Sequence, residues 1–174
     1  LREAAAAERL LAGEADYTLV RPPSFDYRVA APSPVEYRTL PTSARYYLSM
    51  NLRRAPLTDQ RVRHAIAAAV DRDAIVKGPL HGLGVPATGW YTPDVEWAYN
   101  PNTRVPEYDE RAARRLLDAA GTVPGVEGRR FELTLVVLDA PPARDIAHVI
   151  QQQLARVGIG VAVERYSVAE WPKR

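Results

Sequence analysis

The 174-residue sequence contains no cysteine, so disulfides, thiolate nucleophiles and cysteine metal ligands are all excluded. Long hydrophobic runs are also absent: the longest apolar stretch, residues 65–70, has six residues, far fewer than the ~20 that span a bilayer. Lysine is scarce, since Lys77 and Lys173 are the two lysines and arginine supplies the other basic residues. The net charge of +2, from 23 basic and 21 acidic residues, is too small to indicate a nucleic-acid partner.

The composition that remains is typical of a folded globular chain. Hydrophobic residues make up 47% and charged residues 25%, which argues against disorder, and the length corresponds to about one domain. The chain begins at Leu1 and shows no basic segment followed by an apolar run. We therefore expect an excised or processed piece of a longer protein.

Apolar residues three and four positions apart predict helices along much of the chain. Val62, Ile66 and Ala69 form such a stripe, and Thr58 or Asp59 is the expected N-cap before it. The predicted helices cover residues 2–11, 58–70, 71–76, 109–120 and 143–157.

Alternating or continuous apolar runs predict strands at residues 16–20, 35–40, 46–52, 131–138 and 161–166. The last two flank the helix at 143–157, and a strand, helix and strand over this length form a βαβ unit with parallel strands. The sequence therefore predicts an α/β fold.

Residues 78–107 are predicted to form a long loop, because glycine and proline recur throughout them. The loop nevertheless contains Trp90, Tyr91, Trp97 and Tyr99. These rings could line a ligand pocket, stacking on apolar parts of a ligand. The alternative is that they cover core that the helices leave bare.

No set of residues predicts catalysis or metal binding. The three histidines, His64, His81 and His148, lack metal-ligand spacing, and no serine lies in a G-x-S-x-G motif. The glycines of 82–84 lack the later glycine of a dinucleotide-binding turn. We predict a protein that is not an enzyme and has no metal or cofactor; a small α/β enzyme is the least favoured alternative.

Residues 47–76 resemble the signature of a known family. The stretch has a predicted strand ending near Asn51, then Pro56, the motif D-x-R-V-R-x-A from Asp59, and D-R-x-x-I from Asp71. This order is similar to that of the oligopeptide-, dipeptide- and nickel-binding class of extracytoplasmic solute-binding proteins. The glycine-rich segment 82–87 and the Y-D and L-L-x-x-A-G pattern of residues 108–121 follow in the order of the family.

The resemblance implies the substrate-binding component of an ABC importer, outside the cytoplasm, whose two lobes close around a small peptide and present it to permease subunits. It implies one lobe of a type II periplasmic-binding-protein fold, with a mixed sheet flanked by helices. Residues 1–174 would form this lobe, with 1–34 near the hinge and 78–107 as the long loop. We expect a monomer, attached to the membrane only by a lipid anchor or the permease.

Two positions match ligand-facing positions of the peptide-binding members. Trp171 matches a tryptophan that lies against the ligand pocket, and Arg144 matches a polar position, where arginine suits a carboxylate. The alternatives are an exposed chain end for Trp171 and a surface residue of a first helical turn for Arg144. With Trp90, Tyr91 and Trp97 they form the predicted ligand-binding set.

Two further readings of the resemblance remain open. The same module could be the ligand-sensing domain of a transcription regulator, which a DNA-binding domain upstream would indicate. A member of this class could also bind a nickel chelate or a sugar instead of a peptide.

Overall fold

The computed structural model describes residues 2–19, 35, 36, 38, 40, 42 and 44–170, with side chains from residue 5 onward. In chain order the elements are α1 (Arg2–Leu11), α2 (Gln60–Ala69), α3 (Arg72–Lys77), α4 (Glu110–Ala119), a 3₁₀ turn (Val126–Gly128), β1 (Phe131–Leu138), α5 (Ala143–Ala155) and β2 (Ile159–Tyr166). All five predicted helices are present, and Asp59 is the N-cap of α2. The α/β fold class is confirmed.

The predicted βαβ unit is also confirmed. Strands β1 and β2 pair in parallel, from Phe131 opposite Ile159 to Leu138 opposite Tyr166, and α5 packs on one face of the pair. The opposite face, which includes Thr134 and Val136, is exposed. Within the described residues these two strands form the whole sheet, so the expected mixed sheet is purely parallel there.

The three strands predicted before α2 are wrong wherever the structure describes them. Residues 16–19, 35, 36, 38, 40 and 46–52 are not strands, while 20, 37 and 39 lie outside the described residues. Residues 46–52 do keep an alternation of burial, since Leu48 and Met50 pack against the core while Ser49 is exposed. A strand also needs a hydrogen-bonded neighbour, and none of the described residues supplies one.

The core lies between α2, α4, α5 and the inner face of the sheet. Its largest fully buried side chains include Ile66 of α2, Leu117 of α4 and Ile159 of β2. Gln153 of α5 is buried too, and its side-chain amide accepts from the N–H of Asp71 at 3.1 Å and donates to the C=O of Asp71 at 3.3 Å. This pair of hydrogen bonds ties α5 to the junction of α2 and α3.

The charged residues of the D-x-R-V-R motif form hydrogen bonds within the lobe. The carboxylate of Asp59 accepts a hydrogen bond from the backbone N–H of Arg61 at 2.8 Å. It also forms an ion pair with the Arg61 guanidinium, with 2.6 Å between Oδ2 and Nη2. Arg61 also donates to the C=O of Ala119 at 2.6 Å, which links the start of α2 to the end of α4. Arg63 donates to the C=O of Leu57 at 2.9 Å. The guanidinium groups of Arg61 and Arg63 are therefore bound by backbone carbonyls and by Asp59.

Replacement of Asp59 by asparagine, which keeps a capping oxygen but removes the charge, is expected to remove an acid-dependent part of the stability. The hydrogen bonds and charge of Arg61 lower the pKa of Asp59 from 3.8 to about 2. A carboxylate with a lowered pKa stabilises the folded state above pH 3.8, and this stabilisation is lost as the pH falls towards about 2. Urea unfolding of both proteins at several pH values measures the difference. A difference in unfolding free energy that stays constant over this range would contradict the prediction.

Candidate functional site

Four aromatic side chains and one arginine gather where residues 45–47 meet the long loop. The rings of Tyr47 and Trp90 lie 5.2 Å apart between centroids, and those of Tyr91 and Trp97 lie 5.8 Å apart. The guanidinium carbon of Arg45 lies 5.2 Å from the Trp90 ring and 6.0 Å from the Tyr91 ring. Arg45 therefore joins the two ring pairs into one group, called the aromatic patch below.

The aromatic patch faces outward. Trp97 is 85% exposed and Trp90 is 58% exposed, and neither ring belongs to the core. Within the described part of the chain, neither tryptophan therefore covers the core. Tyr99, the fourth aromatic residue of the loop, is half-buried and lies outside the patch. Exposed aromatic rings in contact with one another are typical of a binding surface.

The loop that carries the patch has no helix or strand, as predicted for residues 78–107, but it is held by turns and by hydrogen bonds to α3. The N–H groups of Ala98 and Tyr99 both donate to the C=O of Val95 at 2.9 Å. Arg72 of α3 donates to the C=O of Pro106 at 2.6 Å. These hydrogen bonds give the tryptophans a defined backbone in spite of the length of the loop.

Charges of both signs accompany the rings. The pKa of the Asp94 carboxyl is lowered, chiefly by the nearby Thr92 hydroxyl and to a smaller extent by the charge of Arg45. Arg45 supplies the positive charge, lying over two ring faces that favour a cation. The patch therefore combines apolar surface with one guanidinium and a nearby carboxylate.

The predicted ligand-facing Arg144 lies elsewhere, in the first turn of α5. It follows the turn that leaves the carboxyl end of β1, the end at which ligands bind in open α/β sheets. Its Nε atom lies 3.2 Å from Oδ1 of Asp145, and its side chain is half-buried. Trp171 lies outside the described residues, one position after Glu170, whose carboxylate accepts the N–H of Ser167 at 2.9 Å.

The structure thus brings together three of the five predicted ligand-binding residues, Trp90, Tyr91 and Trp97. Among the described residues, no hydrogen bond, ion pair or ring contact joins Arg144 to them. Arg45 and Tyr47 were missed by the sequence reasoning. The signal for them was the basic residue directly before two tyrosines, but their partner rings are more than 40 positions away.

Two further searches cover the part of the chain that the structure describes. There, no three side chains of the histidine, aspartate or glutamate type come close enough together to hold a metal ion. No helix in this part has the length and the apolar character needed to cross a bilayer.

The comparisons with known proteins agree with the family resemblance. Residues 2–174 match the model of the bacterial extracellular solute-binding proteins, family 5. A dipeptide-binding protein of Escherichia coli (strain K12) is 35% identical over 128 residues, which are 74% of this chain and 24% of that protein. Both matches are to binding proteins and not to enzymes.

Solved structures show the same relationship. The periplasmic binding protein DppA from Helicobacter pylori, in complex with the peptide STSA, is 30% identical with a TM-score of 0.65 over 72% of this chain and 23% of that protein. NikA from Brucella suis, in complex with Fe(III)-EDTA, is 26% identical with a TM-score of 0.63 over 71% and 26%.

The chain spans about a quarter of the length of these proteins. Its α/β architecture is that of one lobe of a type II periplasmic binding protein. The match to the family model runs through nearly every residue. The chain belongs to the bacterial extracellular solute-binding proteins of family 5.

Proposed function

We propose that this chain forms one lobe of a receptor that captures a dipeptide or oligopeptide outside the cytoplasm and delivers it to the permease of an ABC importer. The support comes from the family, from the peptide-binding names of its relatives and from the aromatic patch. A second lobe would close over the ligand and bury it.

The aromatic patch is the observation that carries the proposal. Trp90 and Trp97 present large apolar surfaces that the core does not use. A peptide offers apolar side chains for stacking on such rings, together with charged groups that Arg45 and Asp94 complement. Binding of the ligand between two lobes would remove these rings from water, which stabilises the closed state.

The domain organisation follows from the same proposal. Residues 1–174 act as a single lobe, residues 1–34 lie next to the hinge, and residues 78–107 form the loop that faces the ligand. The exposed outer face of β1 and β2 is consistent with this, because parallel sheets are ordinarily covered on both faces. Arg144 and Trp171 are proposed to approach the ligand from the carboxyl end of the sheet.

Native mass spectrometry of the full-length receptor with a pool of peptides tests the proposed function. The receptor is first unfolded and refolded to remove any bound ligand, and is then mixed with peptides of two to eight residues. We expect peptides of a narrow length range to remain bound. Retention of metal chelates or sugars with no peptide would overturn the proposal, and the complex of NikA makes the chelate a real alternative.

A variant pair makes this test specific to the aromatic patch. Replacement of Trp97 by alanine is expected to weaken binding of the retained peptide about tenfold, or about 1.4 kcal/mol, because a stacking surface is lost. Val126 is also exposed but lies in the 3₁₀ turn before β1, so Val126→Ala is the matched control and is expected to leave affinity unchanged. If Trp97→Ala and Val126→Ala bind the retained peptide with equal affinity, the aromatic patch does not contribute to peptide binding.

A further inference from the structure

The fold already holds one cation on the rings of the aromatic patch. The guanidinium carbon of Arg45 lies 5.2 Å from the centre of the Trp90 ring and 6.0 Å from that of Tyr91. The face of an aromatic ring attracts a cation within about 6 Å, and tryptophan attracts it most strongly. The contact of Arg45 with these two rings therefore shows, within this chain, a kind of group that the aromatic patch accepts.

Trp97 offers a ring of the same type with no cation on it. The residue is 85% exposed, and its contact with Tyr91, at 5.8 Å between ring centroids, leaves most of the ring open to solvent. Among the described residues, the arginine that lies over aromatic rings is Arg45, and it lies over Trp90 and Tyr91. The Trp97 ring is therefore available to a cation that belongs to a ligand.

Two carboxylates precede Trp97 in the loop. Residues 78–103 contain no lysine or arginine, and their acidic residues are Asp94 and Glu96. Both are exposed, and neither side chain forms an ion pair with another described residue. The pKa of Asp94 is lowered, so its carboxylate remains charged in mildly acidic solution. Since the two carboxylates outnumber the guanidinium of Arg45, the surface around Trp97 favours a positively charged partner.

Backbone turns hold these carboxylates close to the ring. The N–H of Val95 donates to the C=O of Thr92 at 2.9 Å, and the N–H of Ala98 donates to the C=O of Val95 at 2.9 Å. Asp94 is three positions from Trp97, a span of at most about 11 Å even in an extended chain, and the turns shorten it. A guanidinium that stacks on the ring by its face keeps the N–H groups of its edge free for a carboxylate.

We propose that Trp97, Asp94 and Glu96 bind a basic side chain of the peptide ligand, and that they prefer arginine to lysine. A planar guanidinium stacks flat on an indole ring, whereas the ammonium group of lysine is more strongly hydrated. This inference rests on the proposed function, since it names the class of peptide that the aromatic patch selects.

Calorimetric titration of the full-length receptor with two tripeptides tests the inference: alanyl-arginyl-alanine and alanyl-citrullyl-alanine. Citrulline keeps the length and the planar end of arginine but is neutral, and the chain ends of the two probes are identical. We expect the unsubstituted receptor to bind the arginine peptide at least about tenfold more tightly, because the cation gains both the ring and a carboxylate. The corresponding lysine peptide is expected to bind with intermediate affinity.

Two variants assign this preference to the loop. Trp97→Leu keeps an apolar side chain but removes the ring, and the double variant Asp94→Asn with Glu96→Gln removes the charges. Each is expected to weaken binding of the arginine peptide more than that of the citrulline peptide. Glu127→Gln removes an exposed carboxylate from the 3₁₀ turn before β1 and is expected to keep the full preference.

The outcomes distinguish this inference from the proposed function. Equal affinity of the unsubstituted receptor for both tripeptides would overturn the inference and leave peptide capture standing. An unchanged preference in both loop variants, or a loss by the same factor for both probes, would also overturn it. Failure of the receptor to bind either tripeptide or any peptide of the pool would overturn the proposed function together with the inference.

Discussion

Replacement of Gly158 by alanine is expected to lower the free energy of unfolding by about 3 kcal/mol. Gly158 joins α5 to β2 with a φ of +89°, a conformation that side chains other than glycine rarely adopt. A Cβ atom there would lie 2.6 Å from the C=O oxygen of Gly128 and 3.1 Å from Cγ of Arg130. The clash is with the backbone of the 3₁₀ turn that precedes β1, so this turn or the turn at Gly158 would have to shift. Urea denaturation followed by circular dichroism measures the loss.

Gly121 provides the matched control. It ends α4 with a φ of +79°, but no atom lies within 4 Å of the position that its Cβ would occupy. Gly121→Ala therefore introduces the backbone strain without the clash, and a loss of about 1 kcal/mol is expected. Equal losses for the two variants would show that close packing at Gly158 contributes nothing.

Replacement of Arg130 by methionine is expected to cost about 2–4 kcal/mol of unfolding free energy. Its side chain is only 5% exposed and donates to the C=O of Val157 at 3.1 Å and to the C=O of Thr122 at 2.6 Å. It also pairs with Asp118 at 2.6 Å. Methionine fills similar space but leaves those two carbonyl groups without their donor, so the ends of α4 and α5 would lose their link.

The preceding residue, Arg129, tests whether charge or burial is responsible. Its side chain is 62% exposed and approaches Glu132 no closer than 3.9 Å. Arg129→Met removes the same charge and is expected to change the unfolding free energy by less than about 0.5 kcal/mol. A large effect at Arg129, or a negligible one at Arg130, measured by the same urea denaturation, would contradict this account of the buried guanidinium.

The helices and the βαβ unit were predictable because their information is local. The apolar stripe of α2 with its cap at Asp59, and the glycine after α4, each mark an element within a few residues. The parallel pairing of the two strands in residues 131–166 could be inferred because both strands and the helix between them lie close together in the sequence.

The early strands failed for the opposite reason. The alternation in residues 46–52 is real, since Leu48 and Met50 turn towards the core, but alternation indicates a half-buried segment and does not supply a pairing partner. The 3₁₀ turn at Val126–Gly128 carried no apolar period and was missed.

The candidate site was predictable only in part. The unusual density of aromatic residues in the loop indicated Trp90, Tyr91 and Trp97 as candidate ligand-binding residues. Whether they line a pocket or cover the core could be decided only from their exposure in the structure. Arg45 could not be identified from the sequence, because many arginines are present and its role depends on rings that are distant along the chain. Arg144 and Trp171 were identified from the family resemblance alone, and their contact with the ligand is a proposal.

A crystal structure of the full-length receptor with the retained peptide tests the central claim most directly. The account predicts that the peptide lies between two lobes, with its side chains within about 4 Å of Trp90 or Trp97. A structure in which the aromatic patch is covered by the receptor's own chain, while the peptide binds elsewhere, would contradict the account.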